Sequence, residues 1–87
     1  MVESDFVVKK STYKNITGQQ IRLTRLSQAP ALSQADLAKC ANRRGVTLDQ
    51  WTISRIENRT RNVSDYELLA IAKCLGVTVD QLFARNR

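Results

Sequence analysis

The chain has 87 residues, a mass of 9.9 kDa and a formal net charge of +6, with 43% hydrophobic and 25% charged residues. Such a length predicts one small domain with a single core and no room for a separate catalytic or ligand-sensing domain. No apolar run approaches the ~20 residues of a membrane span, and no N-terminal segment combines a basic start, an apolar stretch and a small-residue cleavage site. The expectation is a soluble, cytoplasmic protein in a reducing compartment. A sequence pI near 9.9 points to a polyanionic partner, although charge by itself speaks to steering and non-specific affinity rather than to fold.

Residues 1–15 mix charges with short apolar pairs such as Val7-Val8 and lack sustained periodicity, so they read as an N-terminal arm preceding a domain over residues 16–87. From Thr17 the pattern turns helical. Thr17 and Gln20 have capping-box spacing, and Ile21, Arg25 and Gln28 share one face while Leu23 and Leu26 point away from it. Pro30 and its small neighbours close this helix. Ser33 opens a second one, with Asp36 three residues on and Leu37, Ala38 and Ala41 as its buried stripe. Gly45 provides a residue able to turn with positive φ, Val46 or Leu48 can anchor the turn, and Asp49 is suited to N-cap a third helix buried through Ile53 and Ile56.

A fourth helix begins at Ser64, with Glu67 at N3, and carries Leu68, Leu69, Ile71, Ala72 and Leu75 up to Gly76. Thr78 and Gln81 repeat the capping-box spacing for a short fifth helix, whose Leu82 and Phe83 are placed to seal the core. With no convincing strand run, the fold class is all-α. The segment from residue 33 to residue 57, SQADLAKCANRRGVTLDQWTISRIE, is two helix starts separated by a Gly-containing turn, the sequence form of a helix-turn-helix. Around it cluster Arg43, Arg44, Arg55, Arg59 and Arg61, whereas Asp65, Glu67 and Asp80 fall at later helix starts.

Other chemistry has little to work with. Cys40 and Cys74 each stand in a helical pattern without a CxxC partner, and the chain contains no His, so a thiolate zinc site or a Cys-His nucleophile cannot be assembled; both read as free thiols at the margins of the core. Neither a Gly-rich phosphate loop nor a cluster of carboxylates suggests an enzyme, and no cofactor, metal or small-molecule ligand is expected. Glycosylation-like triplets starting at Asn15, Asn58 and Asn62 signify only Asn, Ser and Thr at helix ends in a chain of this compartment.

Residues 16–83 resemble the lambda-repressor and Cro type of helix-turn-helix protein, the XRE family. The resemblance is carried by Ile21 with Arg25, by Ser33-Gln34 followed by Leu37-Ala38, and by Ile53-Ser54-Arg55-Ile56-Glu57. Leu68-Leu69-Ala70-Ile71-Ala72 and the closing Leu75-Gly76-Val77 through Leu82-Phe83 complete it. It implies a compact five-helix domain that binds double-stranded operator DNA, usually as a symmetric homodimer. Two features depart from the family pattern: the turn at residues 42–48 is longer than its shortest form, and Trp51 stands where a small or polar residue is commoner.

By that resemblance Gln50, Trp51, Thr52 and Arg55 face the bases. The chemistry agrees: Gln can bond adenine bidentately, Arg can bond guanine O6 and N7, and the indole offers apolar contact to a thymine methyl. Ser33 and Gln34 at the start of the second helix, Asn58, Arg59 and Arg61 after the third, and Arg43 and Arg44 in the long turn are assigned to the DNA backbone. Arg25 and Glu57 match a family ion pair that joins the first helix to the third, a structural role suited to a bidentate Arg-carboxylate contact. The leading expectation is a sequence-specific transcriptional regulator acting by operator occupancy. Its competitor is an antitoxin-like or other protein-interaction module of the same fold, in which Leu23, Leu26 and the arm carry the function and DNA binding is weak.

Overall fold

The computed structural model describes residues 12–83, and the first eleven residues of the expected arm and residues 84–87 lie outside that description. Five helices follow one another: α1 Gly18–Leu26, α2 Gln34–Arg43, α3 Gln50–Glu57, α4 Asp65–Leu75 and α5 Val79–Leu82. No strand occurs among the described residues, as the all-α expectation holds.

The helix starts follow from local chemistry. Ser33, Asp49, Ser64 and Thr78 each accept the N-H three residues on, and Ser64-Glu67 and Thr78-Gln81 close reciprocal capping boxes. The start of α1 departs from its expected capping box. Thr17 makes no side-chain cap; instead Asn15 Oδ1 accepts from the N-H groups of Thr17 and Gly18, at 3.1 and 2.8 Å. The displaced Thr17 hydroxyl is buried and has no hydrogen-bond partner among the described residues.

Ile21 of α1, Leu37 of α2, Ile53 and Ile56 of α3, Ile71 of α4 and Leu82 of α5 are fully buried and meet in one core. Each comes from the stripe that helical periodicity selects. Leu23 and Leu26 are on the exposed side of α1, as expected, while Phe83 and Leu69 stay about half exposed, so Leu82 rather than Phe83 is the residue of α5 that enters the core, flanked by the partly buried Val77 and Val79.

The two cysteines are not free. Cys40 of α2 and Cys74 of α4 form a disulfide that closes a 34-residue separation. Both half-buried cysteines lie where α2 packs on α4, so residues far apart in the chain become neighbours once the helices dock. Spacing along the sequence carries no trace of that proximity.

Candidate nucleic-acid interface

The long turn between α2 and α3 is built, not slack. Gly45 has φ of 90°, and the N-H groups of Gly45 and Val46 return to the carbonyls of Asn42 and Ala41 at 3.0 Å each, the double bond of a Schellman motif. Asn42 spans the added length by donating from Nδ2 to Ala38 O and to Leu48 O, at 2.7 and 2.6 Å. Buried Leu48 then anchors the far end. These contacts fix where α3 begins despite the extra residues.

At that start the Asp49 carboxylate accepts both the backbone N-H and the hydroxyl of Thr52, at 2.8 Å each. The Thr52 N-H and hydroxyl hold its carboxyl below the usual range, with Arg55 and Arg61 adding to the effect. Thr52 is therefore committed to the cap, with its hydroxyl turned toward Asp49 and its side chain half buried. Gln50, Trp51 and Arg55 remain exposed on α3, and Trp51 is 76% accessible, an unusual degree for an indole in a folded domain.

The other end of α3 is clamped to α1. Arg25 donates from Nε to Glu57 Oε2 at 2.7 Å and from Nη2 to Glu57 Oε1 at 2.9 Å, with a third bond from Nη1 to Leu32 O at 2.8 Å. Side-chain exposures of 8% and 1% make it a buried, bidentate pair. Glu57 Oε1 also accepts Gln34 Nε2 at 3.1 Å. One carboxylate thus ties α1, the start of α2 and the end of α3 into a single network.

Gln34 stands between two surface depressions. One of about 390 Å³ is lined by Gln34, Gln50, Trp51 and Ser54, which brings the expected backbone contact of α2 beside the expected base-reading residues of α3. A second, about 550 Å³, joins Gln34 and Glu57 to Asn58 and Arg59, and adds Tyr13, Gln19 and Arg22. Arg43, Arg44 and Arg55 line neither depression. Ser33 is exposed with its hydroxyl accepting Asp36 N-H, and the first N-H groups of α2 beside it have no helical carbonyl to bond.

Arg61 has a partner that sequence reasoning did not foresee. Its guanidinium forms a two-bond fork with Glu67, at 2.9 and 3.0 Å, and also donates to Asn62 O. The Arg61 fork holds the Glu67 carboxyl below the usual glutamate range, reinforced by the Ser64 N-H, and Glu67 raises Arg61 in turn. Sequence reading also missed Tyr13, Gln19, Arg22 and Asn15. Of these, Arg22 was within reach, as a cation off the buried stripe of α1 one helical turn before Arg25.

A family model described as helix-turn-helix matches residues 21–82, more than two thirds of the chain. No curated protein and no solved structure matches. Among the described residues no helix is long and apolar enough to cross a membrane, and no group of three or more His, Cys, Asp or Glu side chains could hold a metal ion.

Proposed function

Since the chain belongs to the helix-turn-helix family of the XRE type, we propose that it is a sequence-specific, double-stranded DNA-binding transcriptional regulator that acts by operator occupancy as a homodimer in the cytoplasm. The observation that carries this reading is the solvent-facing side of α3, where Gln50, Trp51 and Arg55 are exposed on a helix whose other face is locked into the core. A helix so placed can enter a major groove. Two copies related by a twofold axis would set their reading helices one DNA turn apart, roughly 34 Å.

In this mechanism Gln50 and Arg55 bond base edges and Trp51 packs on a thymine methyl. Thr52 acts indirectly, by closing the cap that sets the angle of α3. Ser33 and Gln34 hold the DNA backbone at the start of α2, Asn58 and Arg59 do so after α3, and Arg43 and Arg44, which stand at the last turn and C-cap of α2 and not within the long turn, reach it from there. Arg61, already forked to Glu67, steadies the segment between α3 and α4 and leaves its remaining N-H groups for a phosphate.

Selection of bound duplexes from a random pool, followed by competition binding, tests the proposal. A consensus with twofold symmetry is the expected result. Arg55→Ala or Gln50→Ala should relax preference at one or two base pairs by about 1 to 3 kcal/mol of discrimination, with non-specific affinity nearly unchanged. If a dimer neutralises roughly 6 to 8 phosphates, the log-log salt slope should be on the order of −5 to −7, and a flat salt response would refute DNA binding. The half-exposed Leu23 and Leu26 on α1 favour the second reading, a protein-interaction module, and a pool that yields no consensus would leave that reading in place.

A further inference from the structure

Resting on the DNA-binding reading, we infer that Arg22 and Arg59 form a phosphate clamp in the cleft between α1 and the end of α3, with Arg59 positioned by Tyr13, and that it grips a backbone phosphate of duplex DNA beyond the face read by α3.

The first sign is conformational. The chain closes the same helix-ending motif three times, after α2, α3 and α4. After α2 and α4 the left-handed position is filled by Gly45 and Gly76, with φ of 90° and 71°. After α3 it is filled by Arg59, with φ of 65°, while Arg59 N-H returns to Ile56 O and Thr60 N-H to Arg55 O at 3.0 Å each. A Cβ carries a steric cost in that conformation that glycine does not. A long cationic side chain at a position where glycine costs less points to a use for the side chain itself.

Its surroundings hold it in one place. The Arg59 guanidinium lies 3.7 Å above the centroid of the Tyr13 ring, and Lys14 N-H donates to Arg59 O at 2.9 Å. The stem crosses Gly18 so closely that a Cβ there would come within 2.9 Å of Arg59 Cγ. Stacking occupies a flat face of the guanidinium and leaves its in-plane N-H edges for an oxygen ligand.

The cleft is selective for anions. Arg22 is exposed and forms no ion pair with any described residue. Glu57 borders the same cleft, but its two oxygens already accept three bonds from Arg25 and Gln34, so the uncompensated charge is that of Arg22 and Arg59. Gln19 and Asn58 add amide donors. Because Gln34 borders both this cleft and the depression beside Gln50 and Trp51, a DNA strand followed along the protein from α3 past Gln34 arrives at the clamp.

The test compares the parent with Arg22→Gln, Arg59→Gly and a charge control on α4, Lys73→Gln, for binding to a selected and a scrambled duplex over a range of salt. Thermal melts establish that each variant is folded, and the exposed Arg22 side chain can be replaced without loss of packing. Arg22→Gln and Arg59→Gly should each weaken both duplexes by similar factors, about 3- to 10-fold near physiological salt, and make the slope shallower by about 0.9 per protomer. Lys73→Gln should change affinity less. Ethylation of one phosphate outside the half-site should impair binding of the parent more than that of Arg22→Gln. If the parent binds with a steep slope and both cleft variants match it or match the control, the clamp is refuted and the DNA-binding reading stands; if the parent binds no duplex, both fall. Displacement of duplex by inorganic phosphate at constant ionic strength, to the same extent from the parent and from both cleft variants, would place the competing anion elsewhere and overturn the clamp.

Discussion

Removing Arg25 is the most informative perturbation of the fold. Arg25→Ala deletes the two bonds to Glu57 and the bond to Leu32 O, and leaves a carboxylate whose side chain is 1% exposed with a single neutral donor, Gln34 Nε2 at 3.1 Å. An uncompensated buried charge of this kind costs about 3 to 5 kcal/mol, a large part of the roughly 5 to 15 kcal/mol that stabilises a small domain. For a domain of this size each kcal/mol moves the midpoint by about 4 to 8 °C, so the melt should fall by roughly 12 to 40 °C. Glu57→Gln should also destabilise, less severely, because an amide N-H2 then faces the Arg25 donors. Urea and thermal unfolding followed by circular dichroism would measure both variants, and the double variant would give the coupling energy. If both single variants unfold within about 1 kcal/mol of the parent, the buried pair contributes no more than a surface contact and the argument is refuted.

Gly18→Ala should unfold the domain or lower its midpoint severely, because a Cβ at Gly18 collides with the Ile56 carbonyl and meets Glu57 O at 3.0 Å, both backbone atoms that cannot swing away; a variant that melts like the parent would show that α1 and α3 are not so close. Reduction of Cys40–Cys74 should cost up to roughly 4 kcal/mol from the loop that the disulfide closes, read as a lower melting midpoint in dithiothreitol than without it, and the refuting result is two reactive thiols on the oxidised native protein. Acid should weaken the domain through Glu67. Its folded pKa is depressed, chiefly by Arg61, so its contribution is present above the unfolded value near pH 4 and is lost as pH falls through the folded one. The effect should not exceed about 1 kcal/mol, since the pair is only part-buried and remains open to solvent screening, and it should vanish in Glu67→Gln.

The sequence by itself determined what depends on neighbours three or four residues away. Ser33, Asp49, Ser64 and Thr78 cap their helices because each side chain needs only the N-H three positions on, a distance that the helix itself fixes. Gly45 and Gly76 turn where positive φ is required, and the buried stripe from Ile21 to Leu82 follows from helical periodicity. Arg25 and Glu57 were legible only through the family pattern, since 32 residues separate them.

What only the tertiary structure decided are the contacts set by how the helices dock. Asn15, not Thr17, bonds the first N-H groups of α1, and the same side chain reaches Ile56 O and Arg61 O, 41 and 46 residues away, at 3.1 and 2.8 Å. Cys40 meets Cys74 because α2 packs on α4, and nothing in the local pattern of either helix records that crossing. The same holds for Gly18, whose missing side chain serves the close approach of α3, and for Arg59, whose stack on Tyr13 joins residues that only the closed fold makes adjacent. Local hydrogen-bond and steric rules act over one helical turn, whereas these pairings depend on the position of whole helices relative to one another, which is settled only when the core is packed.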